Sequence, residues 1–157
     1  KTLQKAKRIA YQILESNTGE SEVVVAGVGG EGYVLAEILV KFLREISGLK
    51  VTIARLSFDK GAPAQPDISI ESEIDTFRNK SVVIVDDVLN SGKTLAFCLR
   101  PFLSIPLRKL QVAVMVDRNH PRYPIKADFV GYSLSTTLSD HVQVILSDES
   151  QAGVYLY

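Results

Sequence analysis

Two adjacent carboxylates, Asp86 and Asp87, follow directly on the apolar run Val82-Val83-Ile84-Val85, and Asn90-Ser91-Gly92-Lys93-Thr94 comes one short turn later. Neighbouring carboxylates at the end of a buried strand repel one another and are costly to desolvate. They become favourable when they hydrogen-bond sugar hydroxyls or sit near Mg²⁺. The stretch from Asn90 to Thr94 offers consecutive backbone N–H groups opening a helix. Gly92 has no Cβ to hold an anion off, and the Ser91 and Thr94 hydroxyls can donate as well. That is a phosphate cradle at the positive end of a helix dipole. Carboxylates for a diol and a metal, set beside such a cradle, fit a ribose 5-phosphate. A Walker A loop is rejected, because it needs a glycine five residues before Gly92 and Asp87 stands there.

A second stretch, Gly27-Val28-Gly29-Gly30-Glu31-Gly32, formally matches the G-x-G-x-x-G of dinucleotide-binding folds. The first acid beyond the second strand, Asp59, lies about 27 residues past Gly32, further than the usual ~20. The chain is also short for two mononucleotide halves, so this reading is set aside. Cys98, between Phe97 and Leu99, reads as a buried inert thiol. His120 and His141 lack the partners that a zinc site requires.

The elements that must position these groups alternate. Leu3, Ala6, Ala10, Ile13 and Leu14 recur at helical spacing and predict a helix over 2–16. Ser21 to Ala26 reads as a doubly buried strand, 33–46 as a helix ended by Gly48, and Val51 to Leu56 as a second strand. Residues 59–80 break the pattern, since Gly61, Pro63 and Pro66 oppose regular structure, and a long loop in a compact domain is often functional. Val82 to Val85 is the third strand. A helix from about Lys93 follows, its last turn shortened or kinked by Pro101, and then a fourth strand from Leu110 to Val116. Short strands are expected at 128–132, 142–146 and 153–156. The fold class is therefore α/β: an open, mostly parallel sheet flanked by helices, with ligands beyond the carboxyl ends of the strands. The loops after Ala26, Phe58 and Val85 are the ones that matter.

The 157 residues suit a single domain over 1–157, with 46% apolar and 23% charged side chains. Eighteen basic and eighteen acidic residues cancel, so bulk charge gives nucleic-acid binding no support. A local basic stretch holds Arg108, Lys109, Arg118, Arg122 and Lys126 with one acid, Asp117, and reads first as a solvated surface. No apolar run reaches the ~20 residues of a membrane span and no signal-peptide pattern opens the chain, so a cytoplasmic location is expected. The chain opens on Lys1 rather than methionine, and further residues upstream are an expectation.

The stretch Val82 to Leu95 resembles the 5-phosphoribosyl-1-pyrophosphate (PRPP) motif of the type I phosphoribosyltransferases: four apolar residues, two acids, then a Thr-Gly-x-Thr-like turn, here with Ser91 in the first threonine position. Val114 to His120 and Pro124 to Gly131 are similar to the branch of pyrimidine-operon attenuators with uracil phosphoribosyltransferase activity. The resemblance implies that Asp86 and Asp87 hold the ribose 2′- and 3′-hydroxyls, directly or through Mg²⁺, and that Asn90, Ser91, Gly92, Lys93 and Thr94 hold the 5′-phosphate. It makes Val28, Gly29, Gly30, Glu31 and Gly32 the pyrophosphate loop, 59–80 a flexible closing loop, and about 118–157 a small C-terminal hood whose backbone near Val130 reads the base. It also implies a homodimer or larger assembly. The implied partners are PRPP and a nucleobase such as uracil. A regulator signalling to RNA is the alternative, and a ligand-binding paralogue with little turnover is a third. Three departures stand out. Gly29 and Glu31 occupy loop positions where close relatives carry basic residues, the 59–80 loop is net acidic, and Asn90 replaces the acid of purine-salvage members.

Overall fold

The computed structural model describes residues 1–58, 68–135 and 140–157. The order is α1 (Thr2–Ser16), β1 (Glu22–Val28), α2 (Glu31–Ile46), β2 (Lys50–Phe58), β3 (Ile68–Ile70), β4 (Ser81–Leu89), α3 (Lys93–Leu99), β5 (Lys109–Asp117), β6 (Phe129–Ser133), β7 (Val142–Ile145) and β8 (Gly153–Leu156). Six strands form one sheet in the order β3-β2-β1-β4-β5-β6, while β7 and β8 pair antiparallel in a separate hairpin. All neighbours in the six-stranded sheet are parallel except β2 and β3.

Side-chain alternation decides which helix covers which face. Val23 and Val25 of β1 and Val83 and Val85 of β4 are buried with Ala6, Ile9 and Ile13 of α1 and Leu35, Leu39 and Leu43 of α2. Val24, Ala26, Val82 and Ile84 face the other way and pack with Leu95, Cys98, Phe77 and Phe102. Strands covered on both faces read as unbroken apolar runs, which is why β1 and β4 were legible. The end of α1 is tied to the sheet by a buried link. Ser81 donates to Asn17 Oδ1 at 2.6 Å, and Asn17 Nδ2 donates to the Ile13 carbonyl at 2.8 Å.

Two differences from the sequence reading have local causes. The segment 59–80 is not irregular throughout, because Ile68, Ser69 and Ile70 pair with Phe58, Ser57 and Leu56, and Ile74–Phe77 forms a 3₁₀ turn. Residues 59–67 of the expected closing loop lie outside the described residues. Strand β4 does not stop at Val85, since Asp86, Val88 and Leu89 continue to pair with Val114, Val116 and Asp117 of β5. The shortening expected from Pro101 is seen: helix α3 ends at Leu99 and passes into a 3₁₀ segment, Arg100–Ser104, with the proline in its first turn.

Candidate active site

At the carboxyl end of the sheet a cleft of about 440 Å³ opens between the turn after β1, the end of β2 and the β4–α3 connection. It is lined by residues 28–32, by Ser57 and Phe58, and by residues 86–95. Two segments separated by more than fifty residues in sequence meet there because β1 and β4 are neighbours in the sheet.

The two carboxylates are held by the chain itself. Asp86 Oδ1 accepts from the Asp87 N–H and Asp87 Oδ1 accepts from the Val88 N–H, both at 2.8 Å. Burial, then the charge of Asp87, raises the Asp86 carboxyl well above the ordinary aspartate range. This pair is electrostatically frustrated. Two adjacent oxygen-donor carboxylates short of positive charge suit a hard divalent cation such as Mg²⁺. Among the described residues no group of three or more His, Cys, Asp or Glu side chains is placed to hold a metal ion. Behind them Cys98 is buried, and burial with the nearby Asp86 pushes its thiol up to about 12, leaving it inert.

The fold binds more protons at Asp86 than the unfolded chain does, so this group's contribution to stability falls as pH rises above the ordinary aspartate range. Asp86→Asn is therefore expected to raise the melting temperature of the ligand-free chain at neutral pH while impairing ligand binding. A calorimetric scan showing a lowered melting temperature would contradict this account.

The turn after the carboxylates is built as a cradle. Gly92 has φ +88°, a left-handed conformation that favours glycine, and a Cβ there would meet Ile125 Cβ at 3.2 Å. The Ser91 carbonyl accepts from the N–H groups of Arg122 and Tyr123, so the segment after β5 buttresses the turn. Lys93 N–H bonds Ser91 Oγ at 3.3 Å. Asn90 is held from the same side, with Arg118 Nη1 donating to its Oδ1 at 3.0 Å and Arg118 Nη2 donating to the Asp140 carbonyl at 2.7 Å.

The sequence-derived residues Val28, Gly29, Gly30, Glu31, Gly32, Asp86, Asp87, Asn90, Ser91, Gly92, Lys93 and Thr94 all line this one cleft. Val130 does not. It sits in β6 opposite Val114, and its carbonyl accepts from Arg8 Nη2 of α1 at 2.7 Å, with Gly131 taking a second bond at 2.8 Å. Sequence reasoning missed Ser57 and Phe58, although it marked the loop that follows them. It missed Arg118, which was counted only as surface charge, and Arg55. The Arg55 guanidinium donates to the Gly29 carbonyl at 3.3 Å and lies 4.6 Å over the Tyr33 ring, placing a cation behind a loop that has none of its own. An arginine on a strand carries no sequence signal for such a role.

A family model described as phosphoribosyl transferase domain matches residues 1–148. The chain belongs to the type I phosphoribosyltransferases, enzymes of the pentosyl-transferring class. Its relatives include the bifunctional protein PyrR of Latilactobacillus sakei, 31% identical over 150 residues that cover 90% of this chain and 84% of that one. The PyrR of Macrococcus caseolyticus is 33% identical, covering 95% and 90%. These likenesses put the chain on the attenuator and uracil phosphoribosyltransferase branch. Among solved structures, a hypoxanthine-guanine phosphoribosyltransferase from Bacillus anthracis superposes with TM-score 0.70 at 26% identity, covering 85% and 77%. A hypoxanthine phosphoribosyltransferase from Trypanosoma cruzi reaches TM-score 0.77 at 17% identity over 96% and 80%, a likeness of fold. No described helix is long and apolar enough to cross a membrane.

Proposed function

We propose that this protein transfers the 5-phosphoribosyl group of PRPP to a pyrimidine base, with uracil the first candidate, and releases pyrophosphate. The observation that carries this reading is the shared cleft, which sets an acid pair between a glycine-rich loop and a left-handed glycine cradle. In the reaction a base nitrogen attacks the anomeric carbon as the bond to pyrophosphate breaks, giving a nucleoside 5′-monophosphate. Asp86 and Asp87 hold the ribose hydroxyls, residues 90–94 bind the 5′-phosphate through backbone N–H groups and hydroxyls, and residues 28–32 receive the pyrophosphate. Catalysis then rests on positioning and preorganised charge rather than on a covalent intermediate. Asp86 and Asp87 would also hold Mg²⁺, directly or through ribose hydroxyls or water, and what this ion supplies is neutralisation of the leaving group. Residues 1–157 act as one domain in this reading, with residues of about 118–157, the β7–β8 hairpin among them, as its hood and assembly as a dimer or larger.

Asn90 supports a pyrimidine over a 6-oxopurine, because an amide cannot exchange a proton with a purine ring. Arginine has no acceptor, so Arg118 holds the Asn90 carbonyl oxygen and leaves the amide N–H₂ as the group to offer a ligand. The alternative of an RNA-binding regulator draws less support from the fold. Arg108 and Lys109 lie at the start of β5 and Arg118 just past its end, ~30 Å away along the strand at the usual rise per residue. Arg108 is paired with Glu20, and Lys109 donates to the Ser16 carbonyl. The basic stretch is thus split between opposite ends of the sheet.

The deciding assay measures pyrophosphate release from PRPP and Mg²⁺ with uracil, hypoxanthine, guanine, adenine, xanthine and orotate. Turnover with uracil alone is expected. Turnover with a purine and none with uracil would overturn the base assignment. Silence across the panel with PRPP still bound would favour a binder without turnover, and RNA affinity that falls steeply with salt would then favour the regulator.

A further inference from the structure

The Glu31 carboxylate lines the cleft but does not stand free in it. Its Oε2 accepts from the Leu146 N–H at 2.9 Å and its Oε1 from the Ser147 hydroxyl at 2.8 Å. Glu31 is the first residue of α2, whereas its partners directly follow β7, more than a hundred residues further on. Val144 and Leu146 are buried in the same apolar cluster as Val88 and Val116, so the segment that Glu31 grips is already seated on the ends of β4 and β5. A single carboxylate therefore joins the glycine-rich loop to the C-terminal hairpin. An anion beside a pyrophosphate loop is unfavourable if it serves no other purpose, and here it has one.

We propose that Glu31 is a positioning residue, a latch that holds residues 146–147 to the 28–32 loop and is loosened when pyrophosphate occupies that loop. The latch rests on the two hydrogen bonds alone, while its coupling to pyrophosphate rests on the function proposed above. Pyrophosphate carries several negative charges and would compete with the carboxylate for the same loop and helix end. By linkage, whatever pyrophosphate does to the latch, the latch does to pyrophosphate affinity. Release of the leaving group and re-forming of the latch would then be one event.

Glutamine separates contact from charge at this position. In Glu31→Gln, Oε1 still accepts from the Leu146 N–H, and Nε2 donates to Ser147 Oγ, since a hydroxyl also accepts. In Glu31→Ala both contacts disappear. Amide exchange at Leu146, measured on the full chain by NMR, is expected to speed up roughly 10-fold or more in Glu31→Ala and to stay within about threefold of wild type in Glu31→Gln. Mg²⁺ with pyrophosphate should accelerate Leu146 exchange in wild type and leave Glu31→Gln unaffected. Unchanged exchange at Leu146 in Glu31→Ala would overturn the latch. Should that variant fail to fold by circular dichroism, Ser147→Ala decides the matter: faster exchange at Leu146 supports the latch and unchanged exchange ends it. Calorimetry separates the remaining outcomes. Pyrophosphate that binds without altering Leu146 exchange overturns the coupling, and absence of pyrophosphate binding overturns the assignment of the loop and the coupling together, the latch being decided by the alanine variants.

Discussion

Asp87→Asn is expected to lower kcat/KM for PRPP by roughly 100-fold or more, the usual scale for a lost preorganised electrostatic group. The substitution is a clean one. Asparagine keeps an Oδ1 that can accept from the Val88 N–H, the bond Asp87 now makes at 2.8 Å, so the backbone at the end of β4 has no reason to move. What is lost is one negative charge, the one that in the proposed function faces the ribose hydroxyls and Mg²⁺. The charge beside Asp86 also disappears, so the carboxyl of Asp86 should return toward its ordinary range, because Asp87 is the second cause of its displacement after burial. Steady-state kinetics at saturating Mg²⁺ would check the first effect, and a carboxylate titration followed by NMR the second. Wild-type kinetics in Asp87→Asn would remove the acid pair from the mechanism.

Gly27→Ala is expected to destabilise the fold by about 1–3 kcal/mol, the range typical of overpacking a tight interior. A Cβ at Gly27 would lie 2.7 Å from both Ala36 Cβ and Tyr33 Cα, so α2 could not stay where it is against β1. Because α2 begins at Glu31, its displacement would also shift the glycine-rich loop, and activity should fall with stability. Gly48→Ala is the control. A Cβ there meets nothing within 4 Å, so denaturant unfolding should give nearly the wild-type value. Equal stabilities for the two variants would refute the argument from close packing.

What the sequence by itself determined is whatever depends on neighbours along the chain. The β-branched run within 21–26 and the apolar run 82–85 read as strands covered on both faces, and the 3.6-residue spacing in 2–16 as a helix with one buried side. The passage from Val85 through two acids to Asn90-Ser91-Gly92-Lys93-Thr94 specified a strand end, an acid pair and a helix start, and the family was legible from it. Tertiary structure decided the rest, because it depended on which distant segments the packing brings together. Where β4 ends was settled by its pairing with β5, which carries the strand through Asp86 to Leu89. Three residues took on contacts that only folding supplies. Arg118, charged and unremarkable in sequence, became the support of Asn90. The Val130 carbonyl accepts from Arg8 of α1, a partner 122 residues away that no local pattern announces. Glu31 looked like a misplaced anion until the chain returned 115 residues later to place an N–H and a hydroxyl on its two oxygens. Periodicity and turn chemistry are short-range physics and can be read in order. Hydrogen bonds across more than a hundred residues exist only once the core has fixed where the chain comes back.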